Sequence, residues 1–313
     1  MLTVRPPIEV ASGKETSTDM LLTRTFAQRR ITLIALAGAL VLCAFLAMPQ
    51  GRAFASTLLL FFRGQTIQPI ATSHANLVNA YQTLEELEKL GTLQGTPPTT
   101  LSSASSVSAA GSTARFSGAP AQPATQANGL SSTPSSIKAL APSTVTLTLQ
   151  KTTADTYFKS IGSSQTLPVL YDGEQIVVSF PGVTLLEYSR NTGGSVYVGQ
   201  AGQLQVQISG KASADQVRQY LLTLPGLSPA TVSALQNISN WQYTIPLGVP
   251  TDRAGFSPAT VGGSYGGSGA IINDNTGLFS AVLWQRSDGS LSLGVGGKGL
   301  TASQVQAIAG SLH

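Results

Sequence analysis

The chain is poor in the residues that carry most protein chemistry. Charged side chains make up 10% of its 313 residues, against about 25% in typical soluble domains. There is one cysteine, Cys43, so no internal disulfide framework and no multi-cysteine metal site can form. Only two histidines are present, His74 and His313, and neither lies in a recognisable catalytic motif. Aromatic residues amount to 6%. The surface must therefore be largely neutral and polar, built from the abundant Gly, Ser, Thr, Ala and Gln.

The net charge of +4 is unevenly spread. Residues 1–55 carry Arg5, Lys14, Arg24, Arg29, Arg30 and Arg52 against Glu9, Glu15 and Asp19. Residues 56–313 hold twelve basic and eleven acidic side chains, with no stripe of Lys or Arg. Nucleic-acid binding would need such a stripe to neutralise phosphates, so no nucleic-acid partner is expected.

What the chain does have is one long apolar run. "ITLIALAGALVLCAFLAM" (Ile31–Met48) is eighteen residues without a charge, the length at which a transmembrane helix is expected. Pro49-Gln50-Gly51 ends it, and Lys14, Arg24, Arg29 and Arg30 precede it. The positive-inside bias then puts the N-terminus in the cytoplasm and the remainder outside. A cleaved signal peptide, with Ala53-Phe54-Ala55 as the cleavage site, is the competing reading. Its apolar region would exceed the usual length of roughly 7–15 residues. A lipoprotein reading of "LVLC" (Leu40–Cys43) has Leu42 where a small residue belongs.

The expected organisation is a cytoplasmic tail (1–30), the transmembrane helix (31–48) and a membrane-proximal strand and helix (56–91). A Ser/Thr/Ala/Pro-rich linker (92–142) and an extracytoplasmic domain (143–313) follow. In the membrane-proximal part, Ser73 can cap a helix bearing Leu77, Tyr81, Leu84 and Leu87 at helical spacing, with Gly91 ending it. Residues 92–142 have Arg115 and Lys138 as their only charges and few large apolar side chains. Such a segment buries too little surface to offset its ordering entropy and reads as a flexible spacer, a short helix at Val107–Ala110 excepted.

Beyond Pro142 the periodicities sharpen. "STVTLTLQ" alternates as a half-buried strand, with Val145, Leu147 and Leu149 on one face. A short helix capped by Thr153 points Tyr157, Phe158 and Ile161 inward and stops at Gly162. Asp172-Gly173 marks a turn between strands in "LPVLY" and "EQIVVSF". Strands in "SVYVGQ" and "QLQVQIS" come next. A helix follows with a capping box of Ser213 and Gln216 and an inward face of Val217, Tyr220, Leu221 and Leu224, then one opening at Ser228-Pro229. A hairpin of "LFSAVLWQR" and "SLSLGV" turns at Ser287-Asp288-Gly289. A last helix has the capping box Thr301 and Gln304, and Val305, Ile308, Ala309 and Leu312 inward. Interspersed strands and helices with short connections predict an α+β domain, an antiparallel sheet with helices packed against it, preceded by one transmembrane helix and a flexible linker.

Candidate chemistry is thin. Asp155, Asp172, Glu174, Glu187, Asp215, Asp252, Asp274 and Asp288 could supply a paired-acid mechanism. Asp172 and Asp288 sit in D-G turns, and Asp215 in a first helical turn, where local bonding and the helix dipole account for them. "GGSYGGSG" (Gly262–Gly269) lacks the Gly-Lys-Ser/Thr of a phosphate loop. "NDNTG" (Asn273–Gly277) starts like an EF-hand loop, but its glycine comes at the fifth place and Trp284 stands where the bidentate Glu belongs. No catalytic, cofactor-binding or metal-ligating residue is assigned, no cofactor is expected, and the chain reads as a non-enzyme. Asn237-Ile238-Ser239 matches a glycosylation triplet common by chance.

The closing stretch "GGSGAIINDNTGLFSAVLWQRSDGSLSLGVGGKGLTASQVQAIAGSLH" resembles an uncharacterised bacterial family of extracytoplasmic C-terminal domains. The matching residues are Trp284, Gly289, Leu300, Thr301, Ile308, Ala309, Ser311 and Leu312. Tyr220–Pro250 looks like the segment that precedes this ending in longer members. The resemblance implies a domain behind a single transmembrane helix, of the type associated with anti-sigma factors or envelope stress. Residues 1–30 depart from the zinc-type anti-sigma pattern, since they contain no His or Cys. The expectation is a single-pass membrane protein, N-terminus cytoplasmic, with a non-catalytic extracytoplasmic domain for sensing, signalling or interaction at the cell envelope. Its expected partners are the membrane and another envelope or regulatory protein. The alternative is a carrier or binder of an apolar envelope ligand, held in a concavity between sheet and helices.

Overall fold

The computed structural model describes residues 66–96, 100–125, 128–225, 227–238 and 244–313. The expected tail 1–30 and transmembrane helix 31–48 lie outside them. Among the described residues no helix is long and apolar enough to cross a membrane.

Strand β1 (Thr66–Thr72) leads into helix α1 (His74–Glu85), a 3-10 turn (Glu86–Leu90) and strand β2 (Gly91–Gln94). Strand β3 (Ser102–Ser103), helix α2 (Val107–Thr113) and strand β4 (Ser136–Leu140) come next. They are followed by β5 (Ser143–Leu149), α3 (Lys151–Ser160), β6 (Gln175–Phe180), β7 (Val183–Ser189), β8 (Ser195–Ala201) and β9 (Gln205–Ser209). Helices α4 (Ala214–Leu221) and α5 (Pro229–Gln236) precede β10 (Thr244–Pro250), β11 (Ala254–Val261), β12 (Gly267–Asp274), β13 (Phe279–Arg286) and β14 (Ser292–Lys298). Helix α6 (Ala302–Gly310) closes the chain.

The architecture is α+β, as expected, and mostly antiparallel. An eight-stranded sheet runs β11-β12-β13-β14-β8-β7-β4-β3, and a four-stranded sheet runs β2-β5-β6-β9. A parallel pair, β1 with β10, packs over β12 and β13. Alternation along β13 decides which layer each side chain joins. Val282 and Trp284 pack under α6 with Leu293, Val295, Val305 and Ile308. Leu283 faces the other way, into a core with Leu77, Phe180, Leu247, Val249 and Ile272. A third cluster joins Leu147, Leu149, Phe158, Ile176, Val217, Tyr220 and Leu221, between the four-stranded sheet and helices α3 and α4.

Local signals hold where they are local. Ser73 accepts from the Asn76 N–H at 3.1 Å. Ser213 and Gln216 form a complete capping box on α4, and Thr301 and Gln304 form one on α6. Pro229 opens α5 behind the Ser228 cap.

The spacer expected at 92–142 is not what the chain forms. From residue 100 to 125 and from 128 to 142 it is docked on the eight-stranded sheet, supplying β3, β4 and α2. The reason is close packing of small residues around a few large ones, Leu130 and Leu140. Ala110, Ala114, Ala121, Leu130 and Ala139 are buried. At Gly182, an added Cβ would lie 1.9 Å from the Ala114 carbonyl oxygen, so the two backbones touch. The Ala121 N–H donates to the buried Gln200 Oε1 at 2.8 Å. Gln122 and His313 exchange two backbone hydrogen bonds, of 3.1 and 3.0 Å, which tie this segment to the end of the chain. The part read as membrane-proximal is likewise built in, since β2 pairs with β5 and β1 with β10.

Other expectations are corrected as well. "LPVLY" forms a 3-10 turn at Val169–Tyr171, not a strand; Pro168 has no N–H for a ladder. Helix α3 starts at Lys151, so Thr153 lies within it and bonds to Gln150 instead of capping. Ile161 is 48% exposed rather than inward, because the helix has ended and Gly162 turns the chain at φ +71°. Strand β7 reads Val-Thr-Leu-Leu-Glu-Tyr-Ser and is buried on both faces from Val183 to Leu186, so its sequence carries no two-residue alternation.

Trp284 is fully buried, and its indole N–H donates to the Tyr265 carbonyl at 2.7 Å. Its partner across the ladder is Gly269, where an added Cβ would lie 2.7 Å from the Trp284 Cβ. Trp284→Ala removes the largest side chain of this layer and should destabilise the domain by roughly 3–5 kcal/mol, read by denaturant unfolding. An unchanged transition would show that the ring does not hold the layer together.

Candidate interaction surface

The candidate catalytic residues do not assemble into a site. Each has a local structural partner. The Asp252 carboxylate accepts from the His74 N–H at 2.8 Å. Glu187 accepts from Ser195 Oγ at 2.7 Å and from the Tyr197 hydroxyl at 3.3 Å. Asp288 accepts from the N–H and hydroxyl of Ser290 at 2.9 and 2.6 Å. Asp215 lies in the first turn of α4. Buried Glu174 accepts through Oε1 from the N–H groups of Lys211 and Ala212, which fixes the loop between β9 and α4. His74 and His313 lie at opposite ends of the described chain, and His313 is held by the backbone pairing to Gln122.

The loop Asn273–Gly277 is a turn. Asp274 accepts through Oδ1 from the Phe279 N–H at 3.0 Å and through Oδ2 from the Thr276 hydroxyl. Gly277 closes it with φ +68°. Its one carboxylate is thus consumed within the hairpin. Among the described residues no group of three or more His, Cys, Asp or Glu could hold a metal ion. Gly262–Gly266 forms the turn from β11 into β12, and Gly267–Gly269 open β12 itself, with Gly263 at φ +83°.

The surface that stands out is the link between α3 and β6. Pro168, Val169 and Leu170 are consecutive and exposed, Val169 at 72% and Leu170 at 39%. They are not loose. Leu167, just before them, is fully buried. Its N–H donates to Asp155 Oδ1 at 2.7 Å, and its carbonyl accepts from Lys151 Nζ at 2.8 Å. Tyr171, just after, stacks on Tyr220 with ring centroids 4.8 Å apart and donates its hydroxyl to the Gln216 carbonyl at 3.1 Å. Asp172 then accepts from the Lys151 N–H at 2.7 Å. Farther back, Gln165 Nε2 donates to the Thr223 carbonyl at 2.6 Å.

An apolar tip is therefore clamped between a buried leucine and a stacked tyrosine, on a base of α3 and α4. Exposing Val and Leu while fixing the backbone around them removes much of the ordering entropy that a partner would otherwise have to supply. Burying such side chains against a partner stabilises a complex by about 1.5–3 kcal/mol each. The sequence reading placed a strand here and missed the tip. The signal was present, since a proline inside a five-residue apolar run demotes it from strand.

Electrostatics reinforce the clamp. The Lys151 ammonium, followed by the Leu167 N–H, holds the Asp155 carboxyl below its ordinary value of 3.8. Burial first, then the nearby Asp155 and Tyr171, pushes the Tyr220 hydroxyl up to about 12. Because the folded value of Asp155 is depressed, its contribution is complete above the ordinary value and fades as pH falls through the folded one. Asp155→Asn should lower the melting temperature at neutral pH, and the gap to the native chain should narrow as pH falls below the ordinary value of 3.8 and through the depressed folded one. A gap that persists in acid would mean that the carboxylate charge is not what clamps Leu167.

No protein-family model, curated protein or solved structure matches this chain.

Proposed function

We propose that the chain is a single-pass membrane protein whose non-catalytic α+β domain binds another protein of the cell envelope, in a sensing or regulatory role. The observation that carries this reading is the clamped apolar tip Pro168–Leu170, an exposed element held ready for contact. Non-catalytic display is supported by carboxylates such as Asp274, Asp288, Asp252 and Glu187, whose oxygens serve turns, caps and strand pairs. Membrane attachment is supported by the uncharged run Ile31–Met48 and the Arg pair before it. Seventeen residues separate Met48 from Thr66, a reach of at most about 60 Å even fully extended. Thr66, where β1 begins, would then lie within that distance of the bilayer. The family resemblance points to the same setting.

The rival, carriage of an apolar ligand, needs an open concavity between sheet and helices. Leu77, Phe180, Leu247, Val249 and Leu283 fill one interlayer, and Phe158, Leu149, Ile176 and Tyr220 fill the other. The cleft lined by Glu86, Leu87, Leu90, Tyr157, Phe158, Leu224 and Pro225 has a cavity volume of about 10 Å³, far below the roughly 300–1,000 Å³ of small-molecule sites. Filled layers favour the interaction reading.

Two measurements test the proposal. Reporter fusions after residue 60 and after residue 313 should both be active outside the cytoplasm, and cytoplasmic activity of either overturns the topology. In intact membranes, crosslinking should recover a partner from the native chain. The double substitution Val169→Asp and Leu170→Asp should weaken that capture about 100-fold or more while leaving the melting temperature unchanged. Equal recovery from both chains would remove the tip from the interaction.

A further inference from the structure

From a second surface, independent of the apolar tip, we infer that β9 is a self-association edge, pairing antiparallel with β9 of a second copy of this chain. Among the described residues, strand β9 terminates the four-stranded sheet and pairs on one side only, with β6. A free edge presents unpaired N–H and C=O groups to any strand that arrives, and proteins ordinarily block such edges with proline, charge or shortness. The other edge strands of this fold are blocked in those ways. Strand β11 carries Pro258, β1 carries Pro69, and β10 carries Pro246 and Pro250. Strand β3 has two residues and β2 has four. Strand β9 reads Gln-Val-Gln-Ile-Ser, five residues without proline or charge.

The sequence of this edge also says what fits it. Alternation puts Gln205, Gln207 and Ser209 on one face and Val206 and Ile208 on the other. A two-fold axis through Gln207 sets Gln207 opposite itself, Val206 opposite Ile208, and Gln205 opposite Ser209. Every cross-strand pair is then polar with polar or apolar with apolar, and no like charges meet. Val206 and Ile208 are half-buried within one protomer, and the facing pair would cover part of what remains. The two four-stranded sheets would join into one continuous eight-stranded sheet. A self-complementary patch of this kind is what a closed two-fold dimer requires.

The test uses the full-length chain in mild detergent. Analytical ultracentrifugation should find the native chain dimeric. Gln207→Lys places two ammonium groups opposite each other and should raise the dimer dissociation constant about tenfold or more, and Gln207→Glu should do the same. Mixing the two variants should restore the dimer, because Lys then faces Glu. Gln207 is exposed, so both variants should melt like the native chain. In a Cys43→Ser background, Gln207→Cys should crosslink through a short bis-maleimide, while Thr260→Cys on the proline-blocked edge β11 should not. A monomeric native chain, a dimer that survives Gln207→Lys, or equal crosslinking from both cysteine positions would overturn the proposal. Loss of partner capture on changing Val169 and Leu170, with the dimer intact, would leave it standing.

Discussion

Strand β13 is the constraint on which the fold depends. Phe279, Ser280, Ala281, Val282, Leu283, Trp284 and Gln285 are all buried, so both faces of the strand must be covered. One face receives α6 and the segment around Ala121 and Leu130; the other receives the β1–β10 pair. A strand buried on both faces also has to satisfy its polar side chains internally. Gln285 does so by donating to the Gly289 carbonyl at 2.9 Å and accepting from Ser292 Oγ at 3.0 Å. Gln203 donates to the same carbonyl, which draws the β8–β9 connection onto the hairpin turn. The turn that caps the hairpin thus also fixes where the chain leaves one sheet for the other.

This explains which parts of the structure were legible in the sequence. Capping boxes such as Ser213–Gln216 and Thr301–Gln304 span four residues, and a signal confined to four residues survives without tertiary knowledge. The alternation of β5 and the Asp-Gly hairpin turn are equally local. The parallel pairing of β1 with β10 is not. It joins Thr66 to Thr244, and nothing in either strand names the other. Residues 100–142 were misread because hydropathy counts large apolar side chains. That segment docks through alanine, glycine and backbone hydrogen bonds, as at Ala114 against Gly182. Poor hydrophobicity meant close approach, not disorder.

The candidate surface was misread for a related reason. "LPVLY" has strand-like composition, and the clamp that makes it a turn comes from Asp155, Lys151 and Tyr220, between one and five dozen residues away. By contrast, the rejection of Asn273–Gly277 as a cation loop rested on its misplaced glycine and on Trp284 in place of the bidentate Glu. The bonds from Thr276 and Phe279 to Asp274 show where its single carboxylate went. Composition is a poor guide to which apolar residues stay outside.

Scarcity of charge links the two surfaces. Lysine is the usual guard of a sheet edge, and this chain has few charges to deploy. Lys151 is engaged with Asp155, Lys89 with Glu86, and Arg286 with Asp288, each pair close in sequence. Edge protection therefore falls to proline and to shortness, which restrict where a strand can remain open. Around Val169 and Leu170 the charges of Lys151, Asp155 and Asp172 are engaged in the clamp itself, so contact there would be driven by area rather than by long-range steering. On a membrane-tethered domain such a surface needs little steering, because confinement near the bilayer raises the effective concentration of partners. A neutral, weakly charged exterior is thus compatible with association, provided that the partners already share the membrane.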